Sequence, residues 1–175
     1  MASFRFRNSR SLLASLALAL VLALTAAPIV RAADSNINAA CAKEIMAVVV
    51  HYTAIGLANL LKDIPDPKQR VQAIQRFLDD NYFYEDKSGY LFVYDFDGDN
   101  IAHGDKTMRG QNLLVYEDGK ARELHKAFLD AVRRGGGYAR YRFHKPGKRG
   151  SIDVIGYVEQ IPGLNYYIGG GVFVY

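Results

Sequence analysis

The 175-residue sequence predicts an α+β domain, a long N-terminal helix and two shorter helices packed on a five-stranded antiparallel sheet. Three observations carry this. Apolar residues recur every three or four positions in three segments, as they do along the buried stripe of a helix. Between and after those segments lie runs of β-branched and aromatic residues of strand length. Turn pairs such as Asp97-Gly98, Pro146-Gly147 and Pro162-Gly163 join the strands tightly, and tight joins require antiparallel neighbours.

The chain opens with Arg5, Arg7 and Arg10, then the apolar run Leu12 to Leu24 and small residues ending in Val30-Arg31-Ala32. This is the pattern of a secretory signal peptide cleaved after Ala32, leaving residues 33–175 as one domain in the periplasm or outside the cell. The alternative is an uncleaved N-terminal segment that anchors the domain to the membrane, although the apolar run is short for a span. The expected cut matters for charge. The formal +4 rests on 22 basic and 18 acidic residues, and residues 1–32 hold four of the arginines and no acid. What remains is 18 against 18, so the domain offers no electrostatic reason to bind nucleic acid.

The first helix is expected from Ile37 to Lys62, capped by Asp34 or Ser35, with Ile37, Cys41, Ile45, Val48, Tyr52 and Ile55 as its continuous stripe. Its stretch without formal charge, 45–61, raises a membrane span, but it is short and holds His51, Thr53, Gly56 and Asn59, which favours a buried core helix. Cys41 is the only cysteine; no intrachain disulfide is possible, and the preceding Asn-Ala-Ala does not fit a lipid-modified cysteine. Asp66-Pro67 caps and starts a second helix with Val71, Ile74, Phe77 and Leu78 on one face, ended by Asp79-Asp80-Asn81. A polar, aromatic connection leads into the hairpin Gly89 to His103. The stretch from Gly104 to Glu117 reads as mostly loop. A third helix runs from Asp118 or Gly119 to Arg134, with Leu124, Phe128, Leu129 and Val132 on one side, and Gly135-Gly136-Gly137 stops it. The strands 138–144, 151–160 and 166–175 complete the sheet.

Several chemistries fail on spacing. Asp95, Asp97 and Asp99 imitate a calcium loop, but its sixth and twelfth positions hold Asn100 and Lys106 instead of glycine and an acid, so a turn is expected and no metal. His51, His103, His125 and His144 are scattered, with one thiol in the chain, which gives no zinc pattern. No serine sits in a strand–Ser–helix elbow. An enzyme using His103 as acid or base would need a second titratable group, and none is nominated; no catalytic activity and no cofactor is expected. Gly169-Gly170-Gly171 has no helix after it, so it reads as a strand that something approaches closely.

What is left is aromatic. All twelve tyrosines follow residue 32, and there is no tryptophan. Alternation puts Tyr90, Phe92 and Tyr94 on one face of their strand and Tyr141 with Phe143 on one face of another. One sheet face must cover the long helix. The other can line a pocket closed by the 104–117 loop and the third helix, with His103 at its edge; the same rings serve equally as plain core.

These residues carry a family resemblance. The run Gly89-Tyr-Leu-Phe-Val-Tyr-Asp-Phe-Asp-Gly, then Ala102-His103, Gly110-Gln-Asn-Leu113, Gly135-Gly-Gly-Tyr, Tyr141-Arg-Phe and Ile168-Gly-Gly-Gly-Val-Phe-Val, in this order, resembles the single Cache domain over roughly Ile37 to Tyr175. The resemblance implies a PAS-like extracytoplasmic sensor fold that binds small metabolites on the sheet face away from the long helix. It places the ligand at Tyr90, Phe92, Tyr94, His103, Tyr141 and Phe143, with Arg109 in a lid. His103 or Arg109 would then meet an anion with charge-assisted hydrogen bonds. Two positions depart from the pattern: Val154 stands where many members carry a lysine, and Gly104 where proline commonly follows the histidine. The expected function is an exported, free-standing sensor of a short organic acid or similar metabolite, acting through an envelope or membrane signalling partner. An envelope interaction protein with the same fold and a filled pocket is the alternative.

Overall fold

In the computed structural model of the chain, residues 39–84, 86–115 and 119–174 are described. The elements in order are α1 (Ala39–Leu61), α2 (Pro67–Leu78), β1 (Tyr82–Phe83), β2 (Gly89–Asp95), β3 (Asn100–His103), a 3-10 turn (Lys106–Met108), α3 (Gly119–Arg133), β4 (Gly137–His144), β5 (Ser151–Gln160) and β6 (Tyr166–Phe173). The five expected strands form one antiparallel sheet in the order β2-β6-β5-β4, with β3 on the outer edge of β2. A sixth strand, β1, shares that edge through Tyr82↔Tyr90 and Phe83↔Gly89. Two residues are too few to show a period, which is why they read as part of a connection. The expected signal peptide and the expected caps Asp34 and Ser35 lie outside the described residues.

The sheet is covered on both faces, and β2 shows it best: its first six residues are all buried. Leu91 and Val93 point to one side, into a core with Val50, Ala54, Leu57 and Leu61 of α1, Ile74 and Leu78 of α2, and Ile168 of β6. Tyr90, Phe92 and Tyr94 point to the other, into a second core with Phe128, Ala131 and Val132 of α3 and Tyr167 and Phe173 of β6. A strand buried on both faces needs a near-continuous apolar sequence, and Tyr-Leu-Phe-Val-Tyr supplies it.

The first helix corrects the expected stripe. Its inward residues are Ala42, Met46, Val50, Ala54, Leu57 and Leu61, all essentially inaccessible, while Val48 is 57% and Tyr52 70% exposed. Cys41 and Ile55 are also exposed, and Ile45 is half-buried. The helix is apolar on nearly every side, so periodicity admits two stripes. The sheet selects the one with small residues, because α1 rests on the bare backbone of Gly170. A Cβ there would lie 2.9 Å from Met46 Sδ and 3.1 Å from Val50 Cγ2. Among the described residues, Ala40–Leu61 is long and apolar enough to cross a membrane by length and composition; here one side of it covers the sheet.

Capping follows the sequence at α2, where the Asp66 carboxylate accepts from Lys68 N at 2.8 Å and Pro67 opens the helix. The turn between β2 and β3 is wider than a two-residue hairpin. Asp95 Oδ1 accepts from the backbone N–H groups of Asp97 (3.0 Å) and Asp99 (2.8 Å), and Gly98 takes φ +90°. One of the three carboxylates that imitate a calcium loop is therefore engaged by its own turn.

Candidate functional site

The chain between β3 and α3 folds back on the hairpin. Asn100 N donates to Gln111 O at 2.9 Å, Gly110 N to Asn100 O at 3.0 Å and Leu113 N to Gly98 O at 2.9 Å. With α3 on one side and the aromatic face of the sheet on the other, this segment borders a half-open cavity of about 730 Å³. Tyr90, Phe92, Tyr94, His103, Tyr141 and Phe143 all line it. So do Met108, Leu113, Leu124 and Phe128, which sequence reasoning did not place there. Leu124 and Phe128 had a signal in the apolar side of α3. Leu113 lay in the Gly110-Gln-Asn-Leu113 motif of the loop expected to close the pocket, and Met108, in the same loop, had no signal of its own.

The rings are seated by glycine. A Cβ at Gly171 would stand 2.6 Å from Tyr141 Oη and 2.8 Å from Tyr90 Cζ, and one at Gly156 would stand 2.9 Å from Tyr141 Cε1. A Cβ at Gly169 would overlap the Phe92 ring and lie 2.8 Å from Val158 Cγ1. The close approach that Gly169-Gly170-Gly171 implies thus comes from both sides, rings on one face and α1 on the other. Phe92 stacks on Phe128 across the cavity wall at 5.5 Å between centroids, and Tyr90 contacts Phe143 at 5.6 Å.

The polar groups at the floor are neutral. The Tyr90 and Tyr141 hydroxyls bond each other at 2.8 Å, and burial pushes both phenols well above their ordinary range. One hydroxyl donates to the other, which leaves the acceptor's own O–H as a donor. His103 is 3% exposed and packs against Tyr90, Phe143 and Phe92 at 5.1, 5.5 and 6.2 Å. Its Nδ1 accepts from Asp105 N at 2.8 Å, so the lone proton of the neutral ring is on Nε2. Burial lowers the imidazole from 6.5 to about 4, against the pull of the Asp105 carboxylate. At neutral pH, His103 is a neutral donor and not the cation that the resemblance suggests for an anion.

Arg109 departs further. It does not line the cavity. Its guanidinium pairs with Asp79, the residue that caps the C-terminus of α2, and Lys106 Nζ lies 3.0 Å from Asp80 Oδ2 beside it. The expected lid residue is instead a fastener between the loop and α2, and the sequence separation of thirty positions hides the pair. Replacing Arg109 by alanine is expected to leave Asp79 unpaired and to lower stability by about 1–2 kcal/mol, since the pair is only partly buried. The cavity should be intact, so in a melting assay the variant should start lower and keep any ligand-induced rise seen in the parent protein. Loss of that rise alone would return Arg109 to the site.

A buried cation is also committed elsewhere. Lys145, 3% exposed, reaches Asp86 Oδ2 at 2.9 Å and lies over the Phe173 ring at 5.7 Å. Burial alone would raise the Asp86 carboxyl, but the Ser88 hydroxyl and Lys145 hold it below its ordinary value. Among the described residues, no group of three or more His, Cys, Asp or Glu side chains converges as a metal site.

The family model described as "Cache domain" matches residues 47–175. Among curated proteins, the chain is 32% identical over 108 residues to the sensor histidine kinase MctS of Rhizobium johnstonii, a match that covers 61% of this chain and 22% of that protein. The chain thus spans about a fifth of that kinase. Among solved structures, the periplasmic sensor domain of a chemotaxis protein aligns with a TM-score of 0.61 at 25% identity, covering 76% of this chain and 97% of that one. A methyl-accepting chemotaxis protein of Vibrio parahaemolyticus aligns at 0.60 and 24% identity, over 75% and 87% of the two chains. A Cache chemosensory domain solved for carboxylic acid recognition aligns at 0.64 and 20% identity, over 76% and 93%. The last two similarities speak to the fold.

Proposed function

The chain belongs to the Cache domain family, and from that premise we propose that it is an exported sensor domain that binds a small organic molecule, a carboxylic acid or similar metabolite, in the cavity between the sheet and α3. The observation that carries the reading is the cavity itself. Seven tyrosine and phenylalanine rings and one neutral histidine line about 730 Å³. A domain that used these rings only as core would pack side chains into that space, as protein interiors are close-packed. An apolar wall with a few convergent polar groups is the usual make-up of a small-molecule site.

In this reading, residues 1–32 direct export and are removed, and the domain works in the periplasm or outside the cell. The ligand acts by differential affinity: it favours the arrangement in which α3 and the 104–115 segment close on the sheet. A separate envelope or membrane signalling protein reads that change. The related chemoreceptor and kinase sensor domains join this step to a larger receptor, which supports a signalling role over a catalytic one.

The test is a melting screen of the purified protein against carboxylic acids, amines, urea and amino acids. A ligand at about 100 times its dissociation constant stabilises by roughly 2.7 kcal/mol, worth several degrees for a domain of this size. A flat response across the panel would remove the ligand and favour an interaction protein.

A further inference from the structure

We infer that the ligand enters apolar end first: a ring or a hydrocarbon body of similar bulk lies against the aromatic floor, and its carboxylate stays at the mouth beside Lys120. The inference rests on the reading of the cavity as a site for an organic acid and adds the ligand's shape and direction.

The floor argues against a deep carboxylate. Tyr90, Phe92, Tyr94 and Phe128 are each at most 5% exposed, and the Tyr90–Tyr141 hydroxyl pair and the His103 imidazole among them offer hydrogen bonds but no charge. No charged side chain of the lining is buried with them. Arg109 and Lys145 are the cations nearest in character to a deep anion partner, and they pair with Asp79 and Asp86 outside the lining. A carboxylate driven to the floor would leave water without meeting an opposite charge. A ring placed there meets rings and gains by losing its own hydration.

The mouth differs. Three cationic residues contribute to the lining: Lys120, Arg140 and Arg142. Along β4, Ala139, Tyr141 and Phe143 are half-buried, while Arg140 and Arg142 alternate with them and are exposed. Strand geometry therefore sends the two arginine side chains to the opposite face, where Arg142 donates to Ser151 O at 2.6 Å and lies 3.3 Å from Asp153. Lys120 stands on the first turn of α3, on the cavity's own side, where the helix end also favours negative charge. Glu123, also in the lining, is the acid that competes for a cationic head. Size points the same way. A cavity of about 730 Å³ falls in the range that encloses ligands of many heavy atoms, roughly 300–1,000 Å³, and a two-carbon acid leaves most of it empty.

Titration calorimetry of the full chain with sodium acetate, sodium phenylacetate and phenethylamine tests each part. Phenylacetate should bind at least about tenfold more tightly than acetate and than phenethylamine. Lys120→Met should weaken phenylacetate by about fivefold or more, with Lys126→Met, on the same helix but outside the lining, changing it by less than about twofold. Acetate binding as tightly as phenylacetate overturns the apolar body. Weakening by Tyr141→Phe with no effect of Lys120→Met overturns the direction, and binding of the amine alone overturns the acid head. If none of the three binds while another compound in the melting screen does, this inference falls and the sensor reading stands. If the screen is flat as well, both fall.

Discussion

Replacing Gly169 by alanine is expected to cost about 3 kcal/mol and to lower the melting temperature by roughly 10 °C. The added methyl has nowhere to go. It would overlap the Phe92 ring and sit 2.8 Å from Val158 Cγ1, and both neighbours are buried at 2% exposure or less. Phe92 is itself held by Phe128 and Tyr94, at 5.5 and 5.6 Å between centroids, so its displacement would propagate along the cavity wall. Gly56 supplies the opposite control. It lies exposed inside α1, and a Cβ there meets nothing within 4 Å. Gly56→Ala should stabilise by about 0.5–1 kcal/mol through helix propensity and a less flexible unfolded chain. Thermal denaturation of the two variants should move in opposite directions. A Gly169→Ala protein that melts with the parent would show that the rings are not seated on β6 as described.

The second large effect concerns acid. His103 titrates at about 4 in the folded protein and near 6.5 when unfolded. The unfolded chain therefore takes up a proton as pH falls below 6.5, and the folded one does not until about 4. The stability that depends on a neutral His103 is present in full above pH 6.5 and is lost across that window, by about 3 kcal/mol in total. Denaturant unfolding of the parent at pH 7 and pH 4.5, beside His103→Gln, should show the variant losing about 2 kcal/mol less over the interval. His125, lowered by burial too, acts with the same sign but is common to both proteins and cancels. Asp86 and Asp105, held below 3.8 in the fold, act only at lower pH. Equal losses in the two proteins would mean that His103 can be protonated in place. Its Nδ1 makes that difficult, because a proton there must displace the Asp105 N–H.

The parts of the fold that could be read from the sequence are those set by local period and by turn chemistry. Alternation alone put Tyr90, Phe92 and Tyr94 on one face and Leu91 and Val93 on the other, and Asp66-Pro67 marked the start of α2 to the residue. Helix α1 resisted the same method, because an all-round apolar sequence carries no preferred face until Gly170 offers a bare strip to lie on. The cavity wall was legible residue by residue where it is sheet and only as a whole segment where it is loop, because Met108 and Leu113 sit in a stretch without period. Arg109 was misjudged for a related reason. A loop cation looks free in a sequence, and only the fold brings Asp79 to it. The resemblance pointed to His103, but its neutrality depends on depth and on a backbone N–H two residues away, neither of which a motif records.

Strand order has a consequence for how the domain assembles. β6 lies between β2 and β5, so the β1–β3 half and the β4–β5 half are joined edge to edge only through residues 166–173. Asp95 pairs with Tyr166 and Gly89 with Val172, contacts more than seventy positions apart. Such a domain has high contact order: local hairpins can form early, but the central seam must wait for its distant strand. Until then β2 and β5 present unsatisfied edges, and β2 is the most apolar stretch of the sheet. Among the described strands, β6 alone joins the two halves, so the sheet stays open until residues 166–173 are available.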